Sequence, residues 1–178
     1  MEVVELFETY GSPSYPLDVF SLAGRMGVAP RSYSSIPINE RNLSKKASDD
    51  AFTLSKGNYS VGTTFICFNQ DMNKGRMRQS VAHEIAHIWL DHPNNEEPFE
   101  TEAEYFAAYL LAPIPIIITN KLETISEIKN YFNISFDAAR IALERMTNRR
   151  SCKKPAYPYE HRIIEMVSSK GGDDLALD

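Results

Sequence analysis

The sequence holds only two cysteines, Cys67 and Cys152, and neither belongs to a Cys-x-x-Cys pair. That excludes a disulfide framework and a thiolate-rich metal cluster. Long apolar runs are also missing. The best, Ile114-Pro-Ile-Ile-Ile118, is short and broken by proline, against the roughly 18 apolar residues a membrane span needs. Positive charge is not in excess, since the net charge is −5. This excludes an overall nucleic-acid-binding surface. The one basic cluster, Arg149-Arg150-Ser-Cys-Lys153-Lys154, reads as a solvated linker. The first residues, Met-Glu-Val-Val-Glu, are acidic and lack the basic start of a signal peptide. There is no internal repeat and no low-complexity segment. With 178 residues, 43% apolar and 24% charged, the chain reads as one cytoplasmic globular domain with a sizeable core.

What is present is His83-Glu84-Ile85-Ala86-His87, an H-E-x-x-H pattern inside the apolar stretch 81–90. Residues four apart sit one turn above each other on a helix. The two imidazoles can therefore share one tetrahedral ion, with zinc the expected one. Glu84 is one step round the helix, placed as general base toward a water whose pKa the metal lowers to about 7. The alternative is a core or surface helix with hydrogen-bonded histidines. A charged Glu84 between two buried histidines would be costly without a cation.

Around this helix, expected from about Lys74 to Leu90, the pattern is mixed. Pro16 to Val28 reads as a short helix with Gly27 as its stop. The stretch from there to Asp50 reads as polar and irregular. Ala51–Leu54, Asn58–Val61 and Thr63–Phe68 read as strands, the first two joined at Lys56-Gly57-Asn58. They predict a small three-stranded antiparallel sheet. Asp91 to Pro98 is a turn by composition. Helices are then expected over Phe99–Leu111, Thr124–Tyr131, Phe136–Met146 with Ser135 as N-cap, and Tyr159–Val167. Residues 171–178 read as a frayed tail. A domain over 1–147 and an appended segment over 148–178 follow.

Two histidines do not complete a catalytic site, which takes three protein ligands. The longer H-E-x-x-H-x-x-G-x-x-H pattern fails, because Leu90 and Pro93 stand where glycine and histidine should be. The third ligand must come from the acidic helix that follows. At about 100° per residue, Phe99, Ala103, Phe106, Ala107, Leu110 and Leu111 define its buried face. Glu100 lies at the edge of that face, opposite His87 across a short turn, and is the expected ligand. Glu104, one turn below, is the expected outer partner that orients a ligand histidine. Glu102 points the other way and reads as solvated. His92 reads as an exposed turn residue, and His161 as structural or exposed. Tyr105, Tyr109 and His92 remain open as the group that steadies an oxyanion.

The pairing of His83-Glu-Ile-Ala-His87 with Glu100-x-Glu-Ala-Glu-Tyr-Phe-Ala-Ala-Tyr-Leu-Leu-Ala-Pro113 resembles the ImmA/IrrE family of metallo-endopeptidases. The family pattern there is E-x-E-A-N-x-F-A-A-x-L-L-M-P. Its metal-binding glutamate falls on Glu100; Glu104 replaces its asparagine and Ala112 its methionine. The opening helix, the run Ile66-Cys-Phe-Asn69 and the segment Ile125–Arg145 are similar too, so the resemblance covers roughly 15–147. It implies a zincin-like α+β fold with the sheet beside the metal helix and one zinc per chain. It also implies endopeptidase activity on a protein, often a helix-turn-helix repressor of a prophage, mobile element or stress operon. The alternative is a zincin-fold regulatory module that controls a repressor by binding it. A third reading, Thr124–Met146 as a DNA-binding helix-turn-helix, is disfavoured. Its second helix offers only Arg140 and Arg145, beside Asp137 and Glu144.

Overall fold

The computed structural model of the chain describes residues 2–37, 48–55, 64–93, 96–152 and 154–170. In chain order the elements are α1 (Glu2–Tyr10), α2 (Val19–Arg25), β1 (Val28–Ser32), a 3-10 turn (Tyr33–Ser35), β2 (Ala51–Ser55), β3 (Thr64–Phe68), α3 (Lys74–Trp89), α4 (Phe99–Leu111), α5 (Ile114–Thr119), α6 (Ile125–Phe132), α7 (Phe136–Ser151) and α8 (Pro158–Lys170). The class is mixed α+β. Two compact units result, Asp18–Ala107 and Met1–Leu17 with Ala108–Asp178.

The first unit holds the sheet, in the order β1-β3-β2. β3 is central, rich in aromatic and β-branched residues, with Ile66 and Cys67 buried. β2 pairs with it antiparallel, placing Thr53 opposite Ile66. β1 pairs with it parallel, Val28 opposite Thr64. The sheet is therefore mixed, which corrects the expected antiparallel arrangement. β1 lies in the stretch read as irregular because Pro30 and Arg31 break its apolar pattern; an edge strand tolerates a proline that a central strand would not. The expected strand Asn58–Val61 and its turn lie outside the described residues.

α2 is shorter than Pro16–Val28. Asp18 is its N-cap, accepting from the backbone N–H groups of Phe20 and Ser21, so Pro16 stays outside the helix. At the other end Gly27, at φ +76°, supplies the left-handed turn that stops it. α3 starts at Asn73, whose side chain accepts from Arg76 N–H. Its buried positions include Val81, Ala82, Ile85 and Ala86, and it packs on α2, β2 and β3. A buried helix flanked on several sides can hold its polar groups in one orientation, which a metal site requires.

The second unit gathers helices that the sequence marked well in part. Thr124 caps α6 in a reciprocal capping box with Glu127, and Ser135 accepts from Ala138 N–H to start α7. α1 and α5 are elements the sequence reading passed over. α1 buries Val3, Val4, Leu6 and Phe7, a stripe of helical spacing. α5 keeps Pro115 in its first turn, where a missing N–H costs nothing. α7 continues through Arg149 and Arg150 to Ser151, so the boundary expected after residue 147 falls inside a helix. Arg149 is not a solvated linker residue: it donates to both Glu160 carboxylate oxygens, at 2.8 and 2.7 Å, and to the Lys154 and Pro155 carbonyls. Residues 171–178, expected as a tail, are outside the described residues.

Among the described residues one helical stretch, Phe99–Thr119, is long and apolar enough by length and composition to cross a membrane. More than half of its apolar window is buried inside the protein, and it opens with Glu100, Glu102 and Glu104. Both features are those of a core segment.

Candidate metal centre

Helix periodicity and one tight turn build the site, all of it within the Asp18–Ala107 unit. On α3, His83 and His87 stack one turn apart, their rings 4.7 Å between centroids. Their Nε2 atoms stand 3.0 Å apart. From the start of α4, Glu100 presents Oε2 to His83 Nε2 at 3.1 Å and Oε1 to His87 Nε2 at 3.3 Å. Four donors at 2.0–2.1 Å around a tetrahedral ion stand about 3.4 Å from one another. The three separations are of that size, and the ligand atoms of the group all lie within 4.8 Å. Two imidazole lone pairs and a carboxylate facing one point repel unless something positive lies between them. The donor set thus fits a single small divalent cation, and His83, His87 and Glu100 could hold it.

Burial sets the electrostatics. It pushes the pKa of His87 down, His83 and His92 adding to the effect and Glu100 opposing it. A neutral imidazole keeps its lone pair free for a metal. Glu84 is buried at 6% exposure, and burial pushes its carboxyl pKa up. The Thr53 hydroxyl, which donates to Glu84 Oε2 at 2.6 Å, pulls it back, as do nearby His83 and a Thr53 backbone hydrogen bond; Glu100 pushes it up. A carboxylate so raised is a better proton acceptor near neutral pH.

Not every expected residue sits where the sequence reading had it. Glu104 is exposed, and the partner of His87 on its outer side is His92 instead. His92 Nδ1 lies 2.9 Å from His87 Nδ1. His92 is also no exposed turn residue, because its side chain is only 3% exposed. Glu102 is not idle on the far face: its Oε2 lies 3.4 Å from His92 Nε2. Tyr105 is exposed. Tyr109 belongs to the other unit, its ring edge-on to Tyr159 and its buried hydroxyl unpaired. His161 is exposed, as expected. Thr53 is the residue the sequence reading missed. A threonine in a strand carries no signal of its own, and its role appears only once β2 is seen beside α3.

A sheet packed on an H-E-x-x-H helix, with a carboxylate from the next helix closing the donor set, is the arrangement expected of a metallopeptidase centre. The family model described as the IrrE N-terminal-like domain, of a peptidase family, matches residues 31–144. That is more than half of the chain, and the chain belongs to this ImmA/IrrE family of metallopeptidases. No curated protein matches the sequence.

Proposed function

We propose that the chain is a zinc-dependent endopeptidase of zincin-like fold, with His83, His87 and Glu100 as the metal ligands and Glu84 as the catalytic residue. The observation that carries this is the convergence of three donor atoms beside a buried carboxylate of raised pKa. Zinc, when bound, would lower the pKa of a water to about 7 and polarise the scissile carbonyl. Glu84 takes the proton of the attacking water and returns it to the leaving amine. Thr53 fixes one oxygen of Glu84 so that the other is turned to its task. A regulatory module acting only by binding would have no use for this base.

The substrate proposed is a helix-turn-helix repressor of a prophage, mobile element or stress operon. That choice rests on the motif resemblance alone, since proteins with this pattern often act on such repressors. Metal analysis tests the site: wild-type chain should carry about one zinc, and the His83→Ala/His87→Ala double variant none. Full occupancy in the double variant would overturn the assignment. Incubation of the zinc-loaded chain with purified helix-turn-helix repressors of the same genome tests the substrate, cleavage of one being the expected result and all remaining intact the contrary one.

A further inference from the structure

We propose that His92, backed by Glu102, is a positioning residue that fixes the tautomer and ring orientation of His87. The inference rests on the metal reading above, and begins from how α3 ends. Leu90 is the C-cap and Asp91 follows at φ +52°, in the left-handed region. The N–H of His92 donates to the His87 carbonyl at 3.1 Å, and that of Asp91 to the Ile88 carbonyl at 3.4 Å. These are the two bonds of a Schellman helix end, which brings the second residue past the cap back onto the last turn. Here that residue is His92, and what it meets is His87.

The ring of His92 is held on two sides. Its centroid is 4.9 Å from that of His87, edge-on, and 4.9 Å from that of Phe99. Its Nδ1 faces His87 Nδ1 at 2.9 Å. Two nitrogens at that separation share one proton, and only one placement suits a metal. His87 must leave Nε2 bare, so its proton is on Nδ1 and His92 Nδ1 accepts it. His92 then carries its own proton on Nε2. That atom is buried with no hydrogen-bond partner of good geometry, and the Glu102 carboxylate stands 3.4 Å away. The order Glu102, His92, His87 is thus a chain with one consistent direction. An outer acceptor of this kind orients a ligand histidine and raises its basicity. Glu102 is more than half exposed, so solvent damps its share, and His92 carries most of the effect.

The test uses the full chain and zinc alone. Competition titration against a chelator should show His92→Phe, which keeps the ring packing but removes the acceptor, weakening zinc about 10- to 100-fold. His92→Gln, whose carbonyl can accept from His87 Nδ1–H, should recover part of that loss. Glu102→Gln should stay within about fivefold of wild type. Nitrogen-15 spectra of the zinc-loaded wild-type chain should place protons on His87 Nδ1 and His92 Nε2. This second measurement does not depend on any variant folding. A His92→Phe chain that binds zinc as tightly as wild type, or a His92 proton on Nδ1, would overturn the relay while leaving the metal site intact. A wild-type chain that takes up no zinc would overturn both.

Discussion

The hydroxyl of Thr53, on an edge strand, donates to Glu84 Oε2 on the metal helix at 2.6 Å. A hydrogen bond to the ionised form lowers a carboxyl pKa, and here it opposes the upward push of burial. Thr53→Val removes the hydroxyl at nearly constant volume. The Glu84 pKa should rise further, so the deprotonated base requires higher pH. The acid limb of kcat/KM against pH should move to higher pH, with most of the loss on the acidic side. An unmoved acid limb would show that Thr53 does not act on the base.

Asp91 occupies a left-handed position at the end of α3. For residues other than glycine that region costs about 1–2 kcal/mol, less for Asp and Asn. Asp91→Gly should therefore unfold at equal or higher denaturant concentration. Asp91→Val should be destabilised by about 1–2 kcal/mol and should bind zinc more weakly, because the turn that seats His92 is disturbed. Equal urea midpoints for the two variants would contradict this.

The three glutamates of α4 should separate in zinc competition titrations. Glu100→Ala removes a member of the donor group and should weaken binding by well over 100-fold, more than loss of an outer partner would. Glu102→Ala removes the carboxylate beside His92 and should cost at most about fivefold. Glu104→Ala should be indistinguishable from wild type, since Glu104 is exposed. A Glu104→Ala chain weaker than Glu102→Ala would mean that the helix is rotated from its observed position.

Local signals in the sequence were enough for the donor group and for most of the helices, and not for α1, α5 or the groups behind the donors. His83, His87 and Glu100 follow from one helical period and a short turn, and the capped starts of α6 and α7 from Thr124 and Ser135. β1 hid behind Pro30 and Arg31, since an edge strand is defined by the neighbour it pairs with rather than by its own alternation. Thr53 meets Glu84 across 31 residues, a pairing that no local pattern encodes. His92 was nearer to legible. An Asp just past a helix end can take the left-handed turn, and that turn folds the next side chain back rather than out. Helical spacing pointed to Glu104 as the outer partner of His87, but the Schellman turn brings His92 there, 2.9 Å from His87 Nδ1.

Acid should loosen the second unit through Glu160. The residue is buried, at 6% exposure, and the Arg149 hydrogen bonds, chief among the causes, hold its pKa below the ordinary 4.5. A carboxyl depressed in the folded state adds stability that is fully present above the unfolded pKa. That stability is lost as pH falls through the folded value. Wild-type stability should therefore fall below about pH 4.5, and Glu160→Gln should show a shallower decline over that window. Parallel stability curves for the two chains would contradict the account.

The central claim, that Glu84 is the base of a metal-dependent peptidase, is tested most directly by Glu84→Gln. Glutamine keeps the volume and cannot take the proton of water. Wild type and variant, each loaded with zinc, are incubated with a peptide library from a proteome digest, and new termini are counted by mass spectrometry against metal content. The account predicts about one zinc in each chain and a cleavage rate at least about 100-fold lower in the variant. A variant that cleaves at the wild-type rate, or a zinc-loaded wild-type chain that cleaves nothing, would contradict it.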